Sequence, residues 1–330
     1  MELPAELGGP VEVALARAVE QIPDAGALPG GSRFEPKWDG FRTVITRDQS
    51  GARLWSRRGT DLTATFPEIA GTAERQLGPG TVLDGELVAW VDGRLAFAVL
   101  QTRMGRGPRG AARLARTSPA SYAAFDVLAD DGQDVRPWAF DDRRRLLEQL
   151  ATGWRPPLNL SPVTDDHATA LEWFEAYAAV GMEGLVVKGG AEPYPAGRRA
   201  WVKVKRRTSV DVVCGAVIGP RSAPQQVVAG LPINGRLHVV GRTGPLSQAA
   251  RRALTPWLVS PAGEHPWPQR LPAAALGRFS SSRDDVDLTL VEPLVVEVSA
   301  DTGWDGSAFR HLLRFSRVRP EMDPMEISTS

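Results

Sequence analysis

The sequence predicts an α+β protein in two parts: strands mixed with helices to about residue 208, then an all-β stretch with the spacing of a small barrel. Three observations carry this. Before residue 208, apolar runs of strand length alternate with helical patterns such as Asp141–Leu150 and Asp165–Val180. After Lys205-Arg206-Arg207-Thr208-Ser209 the helical patterns become few and short strands take over. A chain of 330 residues also has the length for two domains, each with its own core. The expected domains are 1–208 and 209–330.

In order, Val11 to Ile22 reads as a short helix stopped by Pro23 and followed by a Gly/Pro-rich bend. Arg42–Arg47 alternates as a strand and pairs with Arg53–Ser56 across an Asp48–Gly51 turn. Thr81–Val91 is a strand, Asp92-Gly93 a hairpin signal, and Arg94–Val99 the returning strand. Gln101–Pro119 is a Gly- and Arg-rich loop with a short helix, and Ser121–Leu128 a strand. After the two helices, Glu183–Lys188 and Ala200–Lys205 are strands flanking a Gly/Pro-rich loop. The second part offers strands at Asp211–Ile218, Gln226–Leu231, Leu237–Gly241, Leu290–Val298 and Leu312–Val318.

Composition narrows the function. No apolar run reaches the roughly 18 residues that span a bilayer, and the start lacks the regions of a signal peptide. One cysteine, Cys214, excludes an internal disulfide and a thiolate metal cluster. A cytoplasmic monomer without membrane contact is expected. Net charge is zero, yet three acid-free basic runs stand out. Gly93–Phe125 carries Arg94, Arg103, Arg106, Arg109, Arg113 and Arg116; Arg198–Arg207 carries six cations; Arg310–Arg319 carries four arginines. Such runs suit solvated faces, but three of them in a balanced chain favour a polyanionic partner.

Only four of the 39 basic residues are lysines: Lys37, Lys188, Lys203 and Lys205. Arginine keeps its proton at ordinary pH, whereas lysine can lose one and attack. Lys37 sits in Glu35-Pro36-Lys37-Trp38-Asp39-Gly40-Phe41-Arg42, which places a nucleophile, a turn and a phosphate-binding cation together. Burial and a neighbouring cation such as Arg42 are expected to lower its pKa from about 10.4. On its own, Lys-Trp-Asp-Gly also suits a solvated hairpin corner.

Further candidates follow. Asp84-Gly85-Glu86 interrupts an apolar strand, where a carboxylate costs desolvation unless paired or bound to metal. Glu183 opens another strand, and two such carboxylates can hold a magnesium ion that keeps water and phosphate ligands. In Trp201-Val202-Lys203-Val204-Lys205, alternation puts both lysines on one face, which suits an intervening anion or a lysine-protected edge. Phe125 offers a ring for a base to stack on, or a core side chain.

Taken in order, Lys37-Trp-Asp-Gly-Phe-Arg42, Ser56-Arg57-Arg58-Gly59, Asp84-Gly85-Glu86, Phe125-Asp126, Glu183-Gly184-Leu-Val-Val-Lys188 and Trp201-Val-Lys203-Val-Lys205 resemble the motifs of covalent nucleotidyltransferases. Within that superfamily the chain is most similar to ATP-dependent DNA ligases of the short actinobacterial C type, a likeness the Pro10-Val-Glu-Val-Ala-Leu-Ala-Arg17 leader shares. The resemblance implies a nucleotidyltransferase (ATP-grasp-like) domain with antiparallel sheets and helices, followed by an OB-fold barrel.

It also implies roles. Lys37 would attack the α-phosphate of ATP and carry AMP, while Glu35 reads the adenine edge and Phe125 stacks on the ring. Arg42, Arg57 and Glu86 would hold the ribose and its surroundings, with Arg199 a further nucleotide contact. Glu183, with Glu86, would place Mg2+, or Mn2+ in its stead. Lys203 and Lys205 would draw charge off the α-phosphate. The implied partner is nicked duplex DNA, with other repair proteins in attendance.

One departure stands at the C-terminal motif. Arg317-Val-Arg319-Pro320 is followed by Glu321 and Met322 where the family usually has an aspartate and often a basic residue, with Arg314 or Arg317 as substitutes for its pyrophosphate-orienting role. An RNA ligase, an mRNA capping guanylyltransferase and a non-catalytic OB-fold nucleic-acid-binding protein are the alternatives. An NAD-dependent ligase needs a zinc site that one cysteine does not build.

Overall fold

The computed structural model describes residues 2–276, 284–301, 308–309 and 311–327. Two compact units divide between Arg206 and Arg207. No described helix is long and apolar enough to cross a membrane.

The first unit contains two sheets. Its elements are β1 (Ala16–Val19), β2 (Ser32–Pro36), β3 (Phe41–Asp48), β4 (Gly51–Ser56), α1 (Pro67–Gln76), β5 (Thr81–Val91), β6 (Arg94–Leu95), α2 (Phe97–Gln101), α3 (Pro108–Thr117) and β7 (Ala120–Asp130). There follow β8 (Gln133–Asp134), α4 (Phe140–Ala151), β9 (Leu158–Leu160), α5 (His167–Ala176), β10 (Gly184–Gly189) and β11 (Trp201–Lys205). The larger sheet has the path β4-β3-β5-β7-β8, with β6 on β5 and β9 on β7. The smaller runs β1-β11-β10-β2.

The central strands of the larger sheet are apolar on both faces, because α1 covers one and the smaller sheet's cluster packs on the other. Ile45, Leu54, Leu83, Leu87 and Tyr122 pack with Phe66, Ile69 and Ala73 on the α1 side. Val44, Val82, Phe125 and Leu128 pack with Val11, Val13, Tyr194 and Trp201 on the other. This second cluster ties the two sheets together around the motif residues.

Three expectations need correction. Val11 to Ile22 is not a helix: Ala16–Val19 is a strand in parallel register with Trp201–Val204. A partner some 185 residues away decides the backbone here, which local periodicity does not reveal. Arg94–Val99 pairs with β5 only over Arg94–Leu95 and then turns into α2, whose Leu100 is buried. The arginine-rich segment after it holds a full ten-residue helix, begun by Pro108 at its first turn.

The second unit is built on a five-stranded antiparallel sheet. Its elements are β12 (Arg207–Ile218), β13 (Gln226–Ile233), β14 (Arg236–Arg242), α6 (Gln248–Leu254), β15 (Arg270–Pro272), β16 (Asp285–Asp287), β17 (Thr289–Asp301) and β18 (Arg314–Val318). The path is β14-β13-β12-β17-β18, beside a β15-β16 ribbon. Beyond β14 the chain meets the segment leading into β18: Leu313 N–H donates to Arg242 O at 3.0 Å and Gly244 N–H to Leu313 O at 2.8 Å. The two edges of the path thus approach each other around a core of Val213, Val228, Val240, Trp267, Val296 and Leu313. Arg310, the first cation of the third basic run, lies outside the described residues.

Candidate active site

Lys37 is fixed by its backbone before its side chain does anything. It follows β2 and continues that strand's pairing with β10, its N–H donating to Gly184 O at 2.8 Å and its carbonyl accepting from Glu183 N–H at 3.1 Å. Gly184 permits this approach: its φ is +140°, and a Cβ there would come within 2.0 Å of Val204 O. Gly40 closes the turn after Lys37 in the same way, since a Cβ would meet Leu87 O at 1.9 Å and Glu86 Cγ at 2.9 Å. The ammonium group therefore stands opposite Glu183 and donates to its Oε2. Lys205, at the end of β11, reaches the same oxygen at 3.4 Å.

A cavity of about 190 Å³ opens beside Lys37. Its walls include Glu35, Arg42, Arg57, Glu86, Phe125, Trp201 and Lys203. Strand register assembles them: Arg42 on β3 faces Glu86 on β5, and Val186 on β10 lies between Glu35 on β2 and Lys203 on β11. Arg42 makes two hydrogen bonds to the buried Asp84, at 2.7 and 2.6 Å, and Tyr194 Oη donates to Asp84 Oδ2 at 2.6 Å. The Arg42 guanidinium so held lies 4.9 Å from the Phe125 ring and 5.0 Å from the Trp201 ring.

Below this layer the buried Lys188 joins Glu35 at 2.8 Å and donates to Phe125 O at 2.9 Å. Asp126 stands 3.7 Å from Lys188 and receives Arg143 through two bonds, at 2.8 and 3.1 Å. One oxygen of Glu35, Oε1, is buried with no hydrogen-bond partner among the described residues. An orphaned buried acceptor at a cavity wall suits a ligand donor.

Electrostatics separate the groups. Burial pushes Glu86 up to about 8 against the pull of Lys37 and Arg42, and its carboxyl makes no hydrogen bond or ion pair among the described residues. Burial also raises Glu35, with Lys188 opposing. Lys203 is lowered by burial and by the charges of Lys37, Lys205 and Arg199. Lys37 behaves otherwise than its setting suggested. Burial acts to lower it, but the charge and hydrogen bond of Glu183, with Glu86 and Asp39 beyond, outweigh that and raise it. Arg42 does not offset this, because Asp84 engages its guanidinium.

A lysine held as an ammonium next to two carboxylates, in a cavity walled by an aromatic pair and further cations, suits a nucleotide whose phosphates replace some of those ion pairs. Glu86 and Glu183 fit a cation such as Mg2+: both are carboxylates near the cavity, one without a partner. No group of three or more His, Cys, Asp or Glu converges among the described residues, as a fully protein-built metal cage would require.

A model of the ATP-dependent DNA ligase domain matches residues 14–205. DNA ligase C2 of Mycolicibacterium smegmatis is 35% identical, over 95% of this chain and 92% of its own. The chain belongs to the ATP-dependent DNA ligase family. DNA ligase C of Mycobacterium tuberculosis is 33% identical, over 97% of this chain and 92% of its own. Among solved structures, the ligase domain of M. tuberculosis LigD matches with a TM-score of 0.50 at 29% identity, covering 97% of this chain and 98% of that one. LigD is named a multifunctional non-homologous end joining DNA repair protein. The protein is thus an ATP-dependent DNA ligase with a mixed α+β, nucleotidyltransferase-like domain built on a curled antiparallel sheet. The RNA-ligase, capping-enzyme and non-catalytic alternatives are not favoured.

Most of the residues singled out in the sequence line the ligase's cavity: Glu35, Lys37, Arg42, Arg57, Glu86, Phe125 and Lys203. Glu183 reaches it through Lys37, and Lys205 through Glu183. Arg199 is exposed and outside the lining, acting on Lys203 only through its charge.

Three residues of the ligase were overlooked. Trp201 lines the cavity with its ring edge-on to Phe125, 6.1 Å between centroids. Its signal was present, since the alternation that puts Lys203 and Lys205 on one face puts Trp201 there too. Trp38 lines the cavity as well, its indole N–H donating to Ser161 Oγ at 2.9 Å. Tyr194, in the Gly/Pro-rich loop, had no local signal. In the second unit, Arg317 is paired with Glu297 at 2.9 Å, and Arg319 lies 2.5 Å from Glu321, 3.3 Å from Asp211 and 3.4 Å from Glu297.

Proposed function

We propose that this ligase seals nicks in duplex DNA through a lysyl-AMP intermediate on Lys37. The observation that carries the reading is the convergence of Lys37 with Glu35, Arg42, Glu86, Phe125 and Lys203 around one cavity. The Lys37 amine attacks the α-phosphorus of ATP, forming an N–P bond as the bond to pyrophosphate breaks. Glu183 Oε2, already accepting from the ammonium, is the nearest acceptor for the proton that Lys37 must lose. Lys203 and Lys205 offset the charge that builds on the α-phosphate oxygens. Glu35 Oε1 accepts from the exocyclic amine of adenine, and Phe125 stacks on the base with Trp201 edge-on behind it. Arg42, Arg57 and Glu86 hold the ribose side, with Arg199 an outer contact. AMP then moves to the 5′-phosphate of the nick, and the 3′-hydroxyl displaces it.

Glu86 and Glu183 are the residues that would hold Mg2+, whose charge would neutralise the triphosphate and favour departure of pyrophosphate. The adenylation domain in this reading spans residues 1–208, and 209–330 forms an OB-fold barrel. Five antiparallel strands whose edges approach at Leu313 support the barrel. In this reading the ligase works in DNA repair as a cytoplasmic monomer with other repair proteins as partners; the name of LigD supports the repair role alone.

The test is incubation with magnesium and ATP or GTP labelled in the α-phosphate. ATP should leave a covalent label that Lys37→Ala abolishes. No label from ATP, or a label retained by Lys37→Ala, would sink the mechanism, and a preference for GTP would revive the capping reading. Nicked duplexes with DNA or RNA 3′ ends then define the acceptor.

A further inference from the structure

The first basic run divides into two kinds of arginine. Arg103 is fully buried, donates to Glu68 Oε1 at 2.6 Å and caps the carbonyl groups of Leu114 and Ser118, so it is structural. Arg106, Arg109, Arg113 and Arg116 are all exposed, and none makes an ion pair among the described residues. Some other arginines of this unit have acids, Arg33 with Asp141, Arg136 with Asp134 and Arg206 with Glu175, while Arg53, Arg58 and Arg94 are exposed without one among the described residues but stand singly on strands and turns.

Helical geometry makes the four a stripe. Arg109, Arg113 and Arg116 are spaced by four and then three residues, so they share one face of α3. The opposite face packs inward through Ala111 and Leu114. Arg106 precedes the helix and lies across Gly110, where a Cβ would meet its Cβ at 3.3 Å. Like charges one turn apart repel, and Arg109 in the first turn opposes the macrodipole, whereas Arg116 in the last turn suits it. A basic face of several like charges with no acid partner among the described residues suits a polyanion.

The path of the chain points to which one. β5 carries Glu86 at the cavity wall and emerges at Trp90, which is 42% exposed and edge-on to Trp38 at 6.4 Å. The arginine stripe follows that strand in the chain, within the unit that holds the cavity, on a helix tied to α1 through Arg103 and Glu68.

We infer that the Arg106–Arg109–Arg113–Arg116 stripe of α3 binds the phosphate backbone of the nicked DNA duplex. The stripe positions DNA and touches no reacting atom; the inference rests on the proposed nick-sealing reading.

The experiment compares the full chain with the triple variant Arg109→Gln, Arg113→Gln, Arg116→Gln, measuring affinity for a labelled nicked duplex over a salt series without ATP. Each lost phosphate contact lowers the slope of log K against log salt by about 0.9, so the variant's slope should be smaller by about 2.7. Raising salt from about 50 to about 200 mM should then weaken the variant about 40-fold less than the parent. The triple Arg→Lys variant should keep the parental slope, because the contacts are charge to phosphate. Label transfer from ATP to Lys37 should be unchanged in both variants, which also reports folding. An unchanged slope in the glutamine variant, or an equal fall in the lysine variant, overturns the stripe. Failure of the parent itself to take the ATP label overturns the nick-sealing reading instead.

Discussion

Glu183 Oε2 serves two ammonium groups, accepting from Lys37 and lying 3.4 Å from Lys205. One carboxylate oxygen thus favours the protonated form of the candidate nucleophile and holds the neighbouring Lys205. Glu183→Gln removes the largest of the charges that raise Lys37 and leaves burial, which lowers it, opposed only by the smaller pulls of Glu86 and Asp39. Lys37 in that variant should react with an amine-selective reagent faster at a fixed pH, with its pH profile displaced to lower pH. Mass spectrometry of the modified peptide, without nucleotide or metal, reads this directly. An unmoved profile would mean that Glu183 does not hold the proton on Lys37.

Lys203 should matter to the chemical step more than to binding. It lines the cavity on the same face of β11 as Lys205, and its lowered pKa reflects burial first and then three neighbouring cations. Such crowding is tolerable where an anion enters among the cations. Lys203→Ala should slow formation of the lysyl adenylate by about 10²–10³-fold, the usual effect of deleting one preorganised charge partner. Single-turnover labelling with saturating ATP separates this from weaker ATP binding. A loss that excess ATP restores would make Lys203 a binding residue only.

How much of this was legible beforehand follows from which contacts are local. The strand Thr81–Val91 could be read from its apolar runs on either side of Asp84-Gly85-Glu86, whose carboxylates stood out within it. The cavity residues were legible because each lies in a short run that backbone pairing places beside Lys37. By contrast, β1 depends on parallel pairing with β11 and β2 on pairing with β10. Neither partner is near in sequence. Tyr194 could not be found, because its role is to hold Asp84, 110 residues away. The expectation that cations would lower Lys37 failed for the same reason: Asp84 had claimed Arg42, and Glu183 had claimed Lys37.

Gly40→Ala tests how tightly the turn after Lys37 sets the cavity. The new Cβ would overlap Leu87 O and press on Glu86 Cγ, both on the central strand β5. Backbone on a central strand yields little, so the variant should lose on the order of 1–3 kcal/mol of stability. It should also lose adenylylation beyond that, because Glu86 and Lys37 move apart. Denaturant unfolding beside ATP labelling checks both. Parental values for both would mean that the turn accommodates a side chain.

The buried charge network beneath the cavity predicts an acid-sensitive stability. Asp126 is lowered against its own burial by the charges of Arg143 and Lys188 and by hydrogen bonds from Arg143 and the Val127 N–H. A carboxyl lowered in the folded state stabilises the fold above its unfolded value, about 3.9, and loses that contribution as pH falls through the lower folded value. Asp126→Asn leaves Arg143 without its charge partner and Lys188 with Glu35 alone. Breaking a buried pair in this way costs about 3–5 kcal/mol near neutral pH. Because the variant has no carboxyl to protonate, the parent's advantage should shrink as pH falls through the acidic range. Urea unfolding of both proteins across that range measures the difference, and a gap that stays constant down to the acid limit would show that Asp126 is not the charge that holds this layer together.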